Sequence, residues 1–186
     1  MRTCAAAARV DGTVSVFLEP IALYHTRDLH ADGDGKWLSA DRAGAEGDTA
    51  HVAIGAGHVA REPDGLADVL IVTWANGLYL SVRVAERLQR EGIGCRVYDL
   101  RWLAPLPIDE VLQQAGEVGR VVVVDETRRQ GGAGEGVVTG LTERGFRGPL
   151  ARVAARDSFV PLGDAANLVL VSEDDIADAV RRIARS

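Results

Sequence analysis

From Ala67 onward, apolar runs of strand length alternate with stretches of helix length that carry one apolar stripe, which is the pattern of repeated βαβ units. Val69 to Trp74 begins Val-Leu-Ile-Val, apolar on successive residues and so on both faces, as a parallel strand covered by helices requires. A helix is predicted from Gly77 to Arg90, with Leu78, Val82, Ala85 and Leu88 inward and Arg83, Glu86, Arg87 and Arg90 outward. Gly92 and Gly94 supply its stop. A second strand is expected over Cys95 to Trp102, then a helix from near Pro107 that buries Ile108, Val111, Leu112 and Ala115 and ends before Gly119. A third strand, Val121 to Asp125, is four valines followed by acid, which predicts a core strand with an exposed carboxyl end. A helix over Glu135 to Arg144, a strand over Ala151 to Ala155 and a last helix opening at Ser172 complete the series. In that last helix Asp175 sits where a capping box needs an acceptor, and Ile176, Ala179, Val180 and Ile183 form the buried face. The resulting expectation is an α/β fold, a three-layer sandwich around a mainly parallel sheet.

The first sixty residues read differently. They suggest a helix over Arg2 to Val10, a strand over Val14 to Leu18, a weakly structured polar loop over 31–50 and a strand over His51 to Ile54. A strand placed so early implies sheet neighbours outside the chain. The expected division is therefore 1–60, the end of an upstream domain with its linker, and 61–186, the repeated βαβ domain.

Composition narrows the partners. The chain has 186 residues, a net charge of −6, and a hydrophobic fraction of 47%, values that fit a folded domain and not a disordered tract. Its cationic residues are scattered and almost all arginine, Lys36 being the only lysine, so no basic stripe for nucleic acid is expected. The absence of a long apolar run argues against a membrane span, and a cytoplasmic location is expected. Cys4 and Cys95 lie far apart and are read as buried structural thiols.

Three constellations merit weighing for chemistry. Gly33-Asp34-Gly35 matches the opening of a magnesium-diphosphate motif, but the oxygen ligand that should follow is missing, since the first downstream asparagine is Asn76; a turn is expected. His25, Asp28, His30 and Asp32 have no regular element to orient them and are read as a solvated loop; His51 and His58 have no companion acid or nucleophile nearby in sequence. Arg128-Arg129-Gln130-Gly131-Gly132-Ala133-Gly134 follows the valine strand and precedes a helix. Backbone amides at a helix start attract anions, so Arg128, Arg129, Gly131, Gly132 and Gly134 are the candidate site, either for an anion or as a close-packed bend at a subunit contact. The run matches neither the dinucleotide fingerprint nor the phosphate-loop pattern. No catalytic or metal-ligating residue is assigned.

Several strings, in order, resemble the beta-subunit half of thiamine-diphosphate-dependent 2-oxo acid dehydrogenases: Val14 to Tyr24, Ala67 to Trp74, Tyr98 to Pro107, Val121 to Glu126 with Gly131 to Gly134, and Asp157-Ser158-Phe159-Val160-Pro161. Glu19-Pro20 to Tyr24, Asp28-Leu29-His30 and Gly33 to Leu38 resemble versions with fused alpha and beta halves. The resemblance implies a transketolase-like C-terminal domain, preceded by a pyrimidine-binding domain of which 1–60 is the end. It implies thiamine diphosphate and magnesium in the full-length enzyme and none in this chain alone. It further implies subunit assembly as homo-oligomer or alpha/beta complex, and a lipoyl acyltransferase component as partner. The isolated chain is expected to be inactive. A transketolase-type terminal domain and a free-standing anion- or nucleotide-binding regulatory module are the alternatives.

Overall fold

Successive valines need cover on both sides, and the chain supplies it by placing two helices on each face of a sheet. The computed structural model of the chain describes residues 2–38 and 52–186. Among them run α1 (Arg2–Asp11), β1 (His58–Arg61), β2 (Val69–Thr73), α2 (Ala75–Gln89), β3 (Cys95–Asp99), α3 (Ile108–Val118), β4 (Val121–Arg128), α4 (Ala133–Glu143), β5 (Leu150–Ala155) and α5 (Glu173–Ala184). The five strands form one sheet in the order β1-β3-β2-β4-β5. β2, β3, β4 and β5 run parallel, and β1 lies antiparallel on the outer side of β3.

The two faces divide the apolar residues by parity. Val69 and Ile71 of β2, with Val122 and Val124 of β4, pack on Val84, Ala85 and Leu88 of α2 and on Ile176 and Val180 of α5. Leu70, Val72, Val121 and Val123 face the other way, onto Val111 and Ala115 of α3 and Val137 and Leu141 of α4. Each strand thus feeds two cores, and all five residues of β2 are fully buried. This is the three-layer α/β sandwich expected from the pattern. Helix ends follow local chemistry: Gly119 caps α3 at φ 85°, and Ser172 and Asp175 close a reciprocal capping box on α5.

The amino-terminal portion departs from expectation. Val14 to Leu18 is not strand and joins no sheet among the described residues, and Val14 and Val16 stand 89% and 82% exposed. A strand pattern without a hydrogen-bonding neighbour gives no strand. For the expected strand over His51 to Ile54, His51 lies outside the described residues and 52–54 is not strand; the sheet instead gains β1 a few residues later. Of the loop expected to be weakly structured, 31–38 is tightly built and 39–50 lies outside the described residues. That built stretch rests on α2, where Tyr79 Oη donates to the Asp28 carbonyl at 3.2 Å, Arg83 donates to the Leu29 carbonyl, and Trp37 meets the Tyr79 ring edge-on at 5.1 Å.

Candidate functional site

The glycine bend joins β4 to α4 on the carboxyl side of the parallel strands. Asp125 anchors it. Its Oδ1 accepts from Thr127 N at 2.8 Å and Thr127 Oγ1 at 2.6 Å, and its Oδ2 accepts from Gly134 N at 2.8 Å. The acid that closes the valine run is therefore wholly buried, not exposed as the sequence suggested, and the strand continues to Arg128. A carboxylate at the start of α4 also answers the partial positive charge of the helix amino terminus.

Other amides of the bend are bonded in the same way. Gly131 N donates to Glu135 Oε2 at 3.0 Å, and Gln130 N donates to Asp157 Oδ1 at 2.9 Å. Gly131 has φ 73°, a conformation costly for residues with a side chain. A Cβ on Gly134 would stand 2.8 Å from Asp125 Oδ2 and 3.2 Å from Arg152 Cδ, so this glycine is required by close approach. Gly132, at the head of α4, is pressed against Asp125 and Thr127 in the same manner. Arg128 and Arg129 are exposed, and neither guanidinium joins an ion pair among the described residues. Arg128 Nε bonds the Gln130 carbonyl at 3.2 Å, while the Arg129 carbonyl accepts from Arg152 Nη2 at 2.6 Å. The five candidate residues thus lie together in one bend whose inner amides are bonded to the chain's own acids.

The remaining constellations resolve as structure. Asp34 Oδ1 accepts from Leu29 N and Lys36 N, both at 2.9 Å, while Oδ2 accepts from His30 N at 2.8 Å and Ala31 N at 3.0 Å. These backbone donors, Lys36 N foremost, hold its carboxyl well below the usual carboxylate range. Asp28 binds Gly33 N and Gly35 N at 2.8 Å each. Gly33-Asp34-Gly35 is the expected turn, with its carboxylate oxygens spent on amides. Among the described residues no group of three or more His, Cys, Asp or Glu side chains is placed to hold a metal ion. Cys4 and Cys95 are buried free thiols.

One pair was not singled out from the sequence. Asn76 donates to Glu126 where β2 and β4 end, at the point where the chain has placed β3 on one side of β2 and β4 on the other. Burial raises the Glu126 carboxyl, the Asn76 bond opposes that, and the neighbouring Asp125 charge adds to it. At the end of β3, burial likewise raises the Asp99 carboxyl against the opposing pull of Arg101. The only sequence signal for either was an acid at a strand end. No helix in the described residues is long and apolar enough to cross a membrane.

The chain is 34% identical over 131 residues to the pyruvate dehydrogenase E1 component subunit beta of Staphylococcus aureus, a match covering 69% of this chain and 39% of that protein. To the same-named subunit of Bacillus subtilis it is 31% identical over 119 residues, covering 62% of the chain and 37% of the relative. It therefore spans well under half the length of these curated relatives. Among solved structures, a split-gene transketolase described as an inactive beta4 tetramer superposes with a TM-score of 0.64 at 27% identity, covering 72% of this chain and 43% of that one. The family model "Transketolase, C-terminal domain" matches residues 57–176, from the residue before β1 into α5, and the chain belongs to that family.

Proposed function

We propose that this chain is the C-terminal domain of a thiamine-diphosphate-dependent 2-oxo acid dehydrogenase acting on pyruvate or a branched-chain 2-oxo acid. In the complete cytoplasmic enzyme its task is subunit assembly, as a homo-oligomer such as a dimer or in an alpha/beta complex, with docking of the lipoyl acyltransferase as a second task. Residues 1–60 are the end of the pyrimidine-binding domain and its linker, and 61–186 are the assembly domain. The single observation that carries the reading is the match to E1 beta subunits over 131 residues, across a sheet with the transketolase C-terminal architecture. The likeness to the E1 beta subunits favours this reading over a transketolase activity.

The described residues do not fit thiamine diphosphate or magnesium. Asp34 is committed to four backbone amides, and no acidic cluster stands ready for a hard cation. The chain alone is accordingly assigned no catalytic step. At the glycine bend, Gln130, Gly131 and Gly134 already donate to Asp157, Glu135 and Asp125. That internal bonding supports a packing role for Arg128, Arg129, Gly131, Gly132 and Gly134 over an anion-binding one.

A chimera tests this. The segment of the Staphylococcus aureus beta subunit that matches this chain is replaced by the corresponding residues, and the product is co-expressed with its alpha subunit. Assembly with measurable 2-oxo acid decarboxylation is expected. A folded chimera that leaves the alpha subunit unbound overturns the reading.

A further inference from the structure

Asp28 to Trp37 reads Asp-Leu-His-Ala-Asp-Gly-Asp-Gly-Lys-Trp, a composition that ordinarily leaves a loop to solvent, with Leu29 its one aliphatic residue larger than alanine. The loop is closed on itself. Trp37 N donates to the Arg27 carbonyl at 3.0 Å and joins the two ends, while Asp28 and Asp34 bind the amides between them. All of these bonds lie within 27–37, so the loop holds its own shape.

It rests on the seam between α2 and α5. Leu29 is 8% exposed and joins the core that those helices form with the sheet. Two residues one turn apart on α2 hold the loop there. Tyr79 donates to the Asp28 carbonyl and meets the Trp37 ring, and Arg83 Nη1 donates to the Leu29 carbonyl. Arg83 serves α5 at the same time, since its Nε donates to Glu173 Oε1 at 2.6 Å and its guanidinium lies 5.5 Å from the centre of the Tyr79 ring. The start of α5 has a second hold of its own. Arg87, one turn further along α2, pairs with Asp174 at 3.0 Å and donates to the Glu173 carbonyl at 3.3 Å.

We infer that residues 27–37 are a strap closed over the α2–α5 seam, with Leu29 as its plug and Arg83 as its latch, and that it lifts as a unit while the sheet domain stays folded. The bonds within the strap travel with it. Arg83 keeps Glu173 when it gives up the Leu29 carbonyl, so the guanidinium is not stranded without an acid. Lifting withdraws one aliphatic side chain from the core, whereas unfolding the domain exposes all of β2 and the valines of β4. The lifted strap bares the seat of Leu29 between α2 and α5 and frees the chain before it from the α2 face. This device governs how the amino-terminal portion is carried on the domain, and it does not rest on the assembly reading above.

Lys36 is the only lysine of the chain and stands exposed on the strap, so an endoproteinase specific for lysyl bonds has one site, Lys36–Trp37. Its cleavage of the whole native chain follows the population of the lifted state when closing outruns cutting. Cleavage is expected to rise only weakly with urea, because lifting exposes little surface, while amide exchange of β2 rises steeply. Arg83→Met and Leu29→Ala each speed cleavage about tenfold or more, the fold-change that a hydrogen bond to a charged group or a buried aliphatic side chain is worth. Arg87→Met weakens the α5 contact without touching the strap and leaves cleavage at the parent rate. Cleavage that rises with urea as steeply as β2 exchange, that neither Arg83→Met nor Leu29→Ala speeds, or that Arg87→Met speeds equally, overturns the inference.

Discussion

Replacing Asp125 by alanine probes the glycine bend where it is most constrained. The carboxylate receives Gly134 N, Thr127 N and Thr127 Oγ1, at 2.8, 2.8 and 2.6 Å. Gly134 is buried, so its amide has no water to turn to and losing the acceptor costs about 1–3 kcal/mol. The Thr127 groups lie near the surface and re-solvate, adding a few tenths of a kcal/mol, and the lost interaction with the helix amino terminus adds about 0.5 kcal/mol. Against these stands the relief of burying one charge fewer, which offsets part of the sum. A net loss of about 2 kcal/mol follows, and in a chain of this size that lowers the melting temperature by roughly 4–8 °C. Circular dichroism melts measure the shift, and native-state hydrogen exchange should show the Gly134 amide losing protection first. A fall of less than about 1 °C with Gly134 still protected would refute the reasoning.

Three further outcomes follow from the same structure. Leu70→Ala empties a fully buried site between β2 and the α3–α4 layer and should destabilise the fold by about 2–5 kcal/mol in denaturant titration, against near silence for Leu66→Ala at 92% exposure. Burial pushes the Cys95 thiol up to about 12, so in the native protein it should resist alkylation near pH 8 and react only once denaturant is added. The Asp34 carboxyl is lowered from 3.8 in the folded loop, so its stabilisation is complete above that value and is lost as pH falls through the folded one. An acid titration followed by Trp37 fluorescence should show the loop loosening only below about pH 4, and Asp34→Asn should loosen it already at neutral pH.

The legible parts of the sequence were those whose physics is local. Four consecutive valines admit one arrangement, a strand covered on both faces, and Val121 to Val124 adopt it. Ser172 and Asp175 define a helix start through bonds spanning three residues, and Gly119 defines a stop through its own backbone angle. What escaped depends on partners distant in sequence. β1 is a strand because His58 and Val59 pair with Asp99 and Tyr98, and nothing in His-Val-Ala-Arg itself announces that. Val14 to Leu18 shows the reverse, an apolar stretch that reads as a strand but meets no neighbour among the described residues. At the site, the glycine run and its two arginines were visible as a unit, whereas the inward turn of Asp125 was not. An acid after a buried strand is ordinarily solvated, and the bonds from Thr127 together with the return of Gly134 N to 2.8 Å make its burial favourable. Asn76 and Glu126 escaped for the same reason, being 50 residues apart and joined only by the β2–β4 pairing.

The claim that this domain assembles an enzyme without itself holding the coenzyme is tested most directly by calorimetric titration of the chain with thiamine diphosphate and magnesium. No saturable heat is predicted, because Asp34 is occupied by its own loop and no other acidic cluster replaces it among the described residues. Stoichiometric binding with micromolar affinity would contradict the account.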